Sequence, residues 1–285
     1  MLKRTLYALS AVLSASLIFS CGGGNQNTET SGVDSTKMHE DTMSAKTKEM
    51  VDFKFFYTIA NLPSPLEIIS SIYSNQVPYN KELLNSSDNE ANYNTSYKKA
   101  INYGVYGIDM AYTAFYGQNQ NLLDYYSTAK KISDKLGIGE TFDKFTESFR
   151  ANEGNKDSLV KIIDRAYDET DKYLKNNNRY ITATHIISGA ILEAQYLSVE
   201  LMKNRDKSTE NAQIFEKIYN NKLYVQNLIS LMDEIKGDPD TGKLLTQFKD
   251  LQKVYDSIKS ADDLNKDALA KLSAAIGKIR AGAIS

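Results

Sequence analysis

The stretch YITATHIISGAILEAQYLSVELM, residues Tyr180–Met202, decides the fold. Its apolar side chains surround most of a helical circumference, and a helix of that kind is buried on several sides. Polar residues interrupt the stretch too often for a membrane span: Thr182, Thr184, His185, Ser188, Glu193 and Gln195. We therefore predict that this segment is the central helix of a helical bundle.

Helical patterns flank the central segment on both sides. Apolar residues recur at three- and four-residue steps over 92–118 and 157–176. Strand alternation and solenoid repeats are absent from the sequence. The fold class expected is all-α, a single and mostly antiparallel bundle of about eight or nine helices over residues 46–285. Further helices are predicted near 121–136, 140–151, 209–236, 240–259 and 263–281.

Several of these helices have recognisable starts. Ser64-Pro65-Leu66-Glu67 is typical of a capping box, in which the serine and the glutamate satisfy backbone N–H groups reciprocally. It predicts a helix that runs to about Ser74. Other polar residues are available as N-caps further along the chain: Asn155 or Asp157, and Ser260 or Asp262 for the last helix.

The composition excludes several classes of protein. The 34 Lys and Arg residues nearly balance the 36 Asp and Glu residues, so the chain lacks the basic footprint of a nucleic-acid-binding protein. A single cysteine excludes an internal disulfide and a multi-cysteine metal site. The only histidines are His39 and His185, which disfavours a histidine-built metal centre. No phosphate loop, nucleophile elbow or metalloprotease motif occurs, and no cofactor is predicted.

The N-terminus predicts export and a lipid anchor. Two basic residues precede an apolar run at 6–19, which is shorter than the about 20 residues that a membrane span needs. The run ends in LIFSC, residues 17–21, which resembles the bacterial lipobox, including looser lipoboxes of Bacteroidota. The resemblance implies that residues 1–20 are a lipoprotein signal peptide and that Cys21 carries acyl chains such as palmitate. The mature chain would be tethered to the cell envelope, in the outer membrane. The domain could face either the periplasm or the cell surface.

Residues 21–45 predict a flexible tether between the lipid and the helical domain. They are mostly Gly, Asn, Thr, Ser, Asp and Lys, a composition that cannot bury enough apolar surface to fold. Asp34-Ser35-Thr36 and Asp41-Thr42-Met43 resemble the O-glycosylation motif of Bacteroidota. The resemblance implies that Ser35 and Thr42 are glycosylated.

Three ionisable residues fall on apolar helix faces and are the candidate site. Asp109 has Tyr106 and Tyr112 as three-residue neighbours, and a desolvated carboxylate there needs a hydroxyl or a cation as a partner. His185 and Glu193 share the central helix about 12 Å apart, so they could flank a pocket but could not act on one atom. Two interpretations stay open: the five residues line a ligand pocket, or each satisfies a buried structural partner.

Three segments carry a resemblance to a family. LPSPLEI at 62–68, YNKELLN at 79–85 and GVYGID at 104–109 resemble a group of Bacteroidota outer-membrane or envelope lipoproteins with an all-helical domain. The likeness covers residues 57–130 closely and the rest only in helical character. It implies an envelope lipoprotein, and no activity or substrate follows from it.

Three functional hypotheses remain at this point. The first is a non-enzymatic binding or interaction module for an unknown envelope protein or small ligand, favoured because catalytic motifs are missing. The second is an envelope enzyme that uses Asp109, His185 or Glu193 as an acid or base. The third is an accessory lipoprotein of a glycan-uptake system. We rank it last because the chain has no tryptophan to stack on sugar rings.

Overall fold

Ten α-helices and no strand lie between residues 64 and 285 of the computed structural model, which describes residues 49, 50, 52, 54 and 64–285. The predicted all-α class is therefore confirmed. Several sequence predictions lie outside the described residues: the predicted signal peptide, Cys21, the predicted tether with Ser35 and Thr42, and His39. The helices are α1 Leu66–Ser74, α2 Ser96–Phe115, α3 Asn119–Lys135, α4 Gly139–Asp143, α5 Thr146–Ala151, α6 Lys156–Asn176, α7 Tyr180–Met202, α8 Ala212–Glu234, α9 Pro239–Asp256 and α10 Lys266–Ile284.

Helix α7 has the bounds and the central place that its sequence predicts. Eighteen of its 23 residues are buried. It packs against α1, α2, α6, α8 and α10, so its apolar circumference is covered from several directions. The predicted helix at 140–151 is divided instead into α4 and α5, which raises the number of helices above the expected eight or nine.

The predicted capping box does not form at the start of α1. The Ser64 hydroxyl accepts the Leu66 N–H at 3.3 Å and donates to Asp164 at 3.0 Å. The Glu67 carboxylate does not return to the backbone but accepts from Lys217 at 3.2 Å. The helix still begins where the sequence places it, because Pro65 is fixed in a helical conformation at its N-cap.

The predicted cap of the last helix is also corrected. Asn265 caps α10 by accepting the Ala268 N–H at 2.9 Å. Ser260 instead forms a reciprocal capping box with Asp263 around the short 3₁₀ turn Ala261–Asp263. Asn155 caps α6, which confirms one of the two N-cap candidates predicted for this helix.

Two glycines allow α2 and α7 to cross at backbone contact. A Cβ atom on Gly104 would lie 2.7 Å from the amide nitrogen of Ala190, and one on Gly189 would lie 2.8 Å from the carbonyl carbon of Ile101. Real Cβ atoms do not approach backbone so closely. A larger residue at either position would therefore push the two central helices apart.

The central helices run in the same direction. The Tyr97 ring packs edge-on against His185, the Ile101 backbone meets Gly189, and Asp109 faces Glu193 further along. Because the contacts advance together along both helices, α2 is parallel to α7. This direction places the polar residues of the two helices beside one another inside the core.

Candidate functional site

Three ionisable side chains from α2, α7 and α10 meet in the core. Asp109 and Glu193 are fully buried, and Arg280 is only 7% exposed. Arg280 donates from Nε to Oε2 of Glu193 at 2.6 Å and from Nη2 to Oε1 at 2.7 Å. Its Nη2 also donates to the Leu83 carbonyl oxygen at 2.8 Å. We call Asp109, Glu193 and Arg280 the acid–arginine cluster, and Arg280 is the member that the sequence analysis missed.

The surroundings of Asp109 in this cluster favour its neutral, protonated form. Its Oδ2 accepts the backbone N–H of Asn85 at 3.1 Å, whereas its buried Oδ1 has no hydrogen-bond donor among the described residues. Burial and the neighbouring Glu193 carboxylate raise the pKa of Asp109 well above its ordinary value, against the opposing effect of Arg280. A protonated Asp109 can donate to Glu193, and the cluster then contains one cation and one anion.

The two predicted tyrosine neighbours of Asp109 hold the preceding loop. The Tyr106 hydroxyl donates to the Ser86 carbonyl oxygen at 2.7 Å, and the Tyr112 hydroxyl accepts the Asn80 N–H at 3.0 Å. Both rings are fully buried. Their hydroxyls therefore fix the chain between α1 and α2.

His185 belongs to a different network, at the start of α9. Its Nε2 lies 2.8 Å from the Thr241 hydroxyl, which donates to Oδ1 of the N-cap residue Asp238 at 2.8 Å. Burial lowers the pKa of His185 to about 4, although Asp238 opposes the shift. His185 is therefore neutral near pH 7. The structure brings Asp109 and Glu193 together and places His185 apart from them.

A cavity of about 360 Å³ lies between the start of α1, one face of α6 and one face of α7. We call it the α6–α7 groove. A volume of this size suits a small organic molecule. Its α7 wall is entirely apolar: Ala183, Ile186, Ile187, Ala190 and Ile191. None of the five residues predicted as a ligand pocket is among its lining residues.

The α6 wall of the groove carries three carboxylates. Asp164 accepts from Ser64 at 3.0 Å, and Asp168 accepts from Lys172 at 2.6 Å. Asp171 differs, because its buried Oδ1 has no donor among the described residues. This wall is not among the sites predicted from the sequence, although the spacing of 164, 168 and 171 puts the three carboxylates on one helical face.

Burial makes the carboxyl group of Asp171 a weaker acid than an exposed aspartic acid. Loss of hydration and the nearby Asp168 raise the pKa of Asp171 to about 6, while Lys175 and Lys172 oppose the shift. The carboxyl group is therefore ionised at pH 7 and protonated at pH 5. In its ionised form it can accept a hydrogen bond from a molecule in the groove.

No protein-family model matches the chain, and no curated protein or solved structure matches it either. In the part of the chain that the structure describes, no group of His, Cys, Asp and Glu side chains is arranged to hold a metal ion. Within the same residues, no helix combines the length and the apolarity that crossing a membrane requires.

Proposed function

We propose that this protein is a membrane-anchored lipoprotein of the cell envelope that binds a small, largely apolar molecule without transforming it. The α6–α7 groove carries the proposal, because it joins a volume of about 360 Å³ to an apolar wall contributed by the central helix. Clefts of this size and lining are typical of small-molecule sites. The lipid anchor rests on the lipobox resemblance of residues 17–21.

The contacts of the acid and base candidates favour structural roles. Both carboxylate oxygens of Glu193 accept hydrogen bonds from Arg280, and Nε2 of His185 is hydrogen-bonded to the Thr241 hydroxyl. Neither residue lines the α6–α7 groove, and Asp109 does not line it either. A substrate in the groove would therefore meet none of the three groups that the enzyme hypothesis requires. An isoleucine-rich wall also suits hydrocarbon better than the hydroxyl groups of a glycan.

The binding proposal is tested with a neutral apolar dye, phenylnaphthylamine, whose fluorescence rises in apolar surroundings. The protein is the mature chain carrying Cys21→Ser, so that no lipid or detergent competes for the dye. We expect saturable binding that Ile187→Asn weakens about tenfold or more, since a polar amide would replace apolar wall. Leu223→Asn is the matched control, because Leu223 is 50% exposed and lies outside the groove.

Two outcomes would overturn the binding proposal. The dye could fail to saturate, or Ile187→Asn and Leu223→Asn could weaken its binding equally. The anchor is tested separately in cells by labelling with a palmitate analogue. We expect the native chain to take up label and to sediment with membranes, and Cys21→Ser to abolish both.

A further inference from the structure

The two long walls of the α6–α7 groove have opposite chemistry. The α7 wall offers side chains that a hydrocarbon can contact, and the α6 wall offers acceptor oxygens. Three carboxylates and one guanidinium, that of Arg165, are the charged groups among the lining residues. Among the lining residues, carboxylates therefore outnumber cations, while Lys172 and Lys175 of the same helix lie outside the lining.

Within the acidic wall, one carboxylate is available to a ligand. The Ser64 hydroxyl already donates to Asp164, and the ammonium group of Lys172 already donates to Asp168. The buried Oδ1 of Asp171 has no donor from the described residues. A buried acceptor without a donor costs free energy, and a donor on a bound molecule would remove that cost.

We propose that the α6–α7 groove selects amphiphilic cations, molecules in which a protonated amine joins an apolar body. This inference rests on the proposed binding function and names its ligand class. The ammonium group donates to Asp171, and the hydrocarbon lies along Ile186, Ile187 and Ile191. An anionic amphiphile of the same length would place its carboxylate against the acidic wall and be rejected by repulsion.

The charged groups near Asp171 predict how this selectivity depends on pH. On α6 these groups are Asp164, Asp168, Lys172 and Lys175, and Arg165 also faces the groove. The lining residues from α7 and from the start of α1 carry no titratable group. Protonation of Asp171 below pH 6 removes most of its acceptor charge, so the preference for a cation should weaken at pH 5.

The test compares three probes of equal length, decylammonium, decanol and decanoate, used below their aggregation concentrations. Each displaces phenylnaphthylamine from the mature Cys21→Ser chain. At pH 7 we expect decylammonium to bind about tenfold more tightly than decanol, and decanoate to bind most weakly. Asp171→Asn should remove the advantage of the amine and leave the affinity for decanol unchanged.

Asp157→Asn is the matched control, because Asp157 is an exposed carboxylate on α6 outside the groove. The inference is overturned if decanol binds as tightly as decylammonium, or if Asp157→Asn acts as strongly as Asp171→Asn. In either case, saturable binding of the dye would still support the proposed binding function. Failure of the dye itself to saturate would instead remove the proposed function.

Discussion

A carboxyl group that keeps its proton inside the core makes folding depend on pH. Asp109 faces Glu193, whose negative charge is already matched by Arg280. A second negative charge there would have no cation left to balance it, and an unbalanced buried charge is costly. The unfolded chain releases the same proton near pH 4. Asp109 therefore lowers the free energy of unfolding as the pH rises above about 4.

The first prediction is that Asp109→Asn preserves or raises stability at pH 7. An asparagine can accept from the Asn85 N–H and donate to Glu193, as a protonated Asp109 does, without a proton to release. Urea denaturation at pH 7 and pH 4 measures the effect, and the two proteins should converge at the lower pH. Asp109→Ala is the control, which should lose about 1–3 kcal/mol at both pH values. A larger loss for Asp109→Asn at pH 7 than at pH 4 would contradict a neutral Asp109.

His185 predicts a pH dependence of the opposite sign. Burial lowers its pKa to about 4, whereas the unfolded histidine has a pKa of about 6.5. Between these values only the unfolded chain takes up the proton, so stability falls as the pH drops from about 6.5 to 4. The full contribution is at most about 3 kcal/mol.

Denaturation curves at pH 7 and pH 5 measure this dependence. We expect His185→Gln to flatten it, whatever the substitution does to stability at pH 7. His39→Gln controls for the second histidine of the chain and should keep the slope of the native protein. Equal slopes for all three proteins would mean that His185 is not buried as a neutral base.

At the scale of helices, the glycine crossing of α2 and α7 gives the sharpest prediction. Gly104→Ala would place a methyl group against the α7 backbone, and overpacking of this kind costs about 1–3 kcal/mol. Gly277→Ala is the matched control on α10, because no atom lies within 4 Å of its added Cβ. The control should gain about 0.5–1 kcal/mol from helix propensity. Thermal unfolding measures both, and a stabilised Gly104→Ala protein would refute the close crossing.

Helix positions were largely predictable because apolar periodicity is a local property of the chain. The bounds of α7 follow directly from its composition. The break between α4 and α5 does not, since no glycine or proline marks residues 144 and 145. Glu67 likewise fits a capping box by spacing, but Lys217 from a distant helix attracts its carboxylate. Tertiary contacts decide such details.

The candidate site was less predictable because it depends on residues far apart in sequence. The pattern on α2 and α7 correctly marks Asp109 and Glu193 as buried. Arg280 lies 87 residues beyond Glu193, and periodicity gives no information about which distant side chain becomes its partner. The groove depends on a gap between two helices, and a gap follows from how helices pack rather than from either sequence pattern.

For the whole molecule, the last helix is expected to decide whether the bundle folds. α10 brings Arg280 to the cluster, and Lys98 and Asn102 of α2 donate to carbonyl oxygens of its final turn. Removing residues 266–285 would leave Asp109 and Glu193 without their cation. We expect this truncated chain to lack a cooperative thermal transition by circular dichroism. A transition at the native temperature would show that α10 is dispensable.

Arg280→Met in the full chain separates the charge of α10 from its packing. The methionine keeps apolar contact with the neighbouring Tyr196 ring but leaves Glu193 without a counter-ion. Breaking a buried ion pair costs about 3–5 kcal/mol, so this variant should fold with reduced stability. A variant as stable as the native chain would assign the role of α10 to packing alone.

The pairing of Glu193 with Arg280 also affects the order in which helices of the growing chain can pack. A ribosome releases the chain from its N-terminus, so α7 emerges long before the helix that neutralises its buried glutamate. Until α10 has been synthesised, the nascent bundle cannot close around α7 without enclosing an unbalanced charge. We therefore expect the growing chain to stay open around Glu193 until α10 brings Arg280 to it.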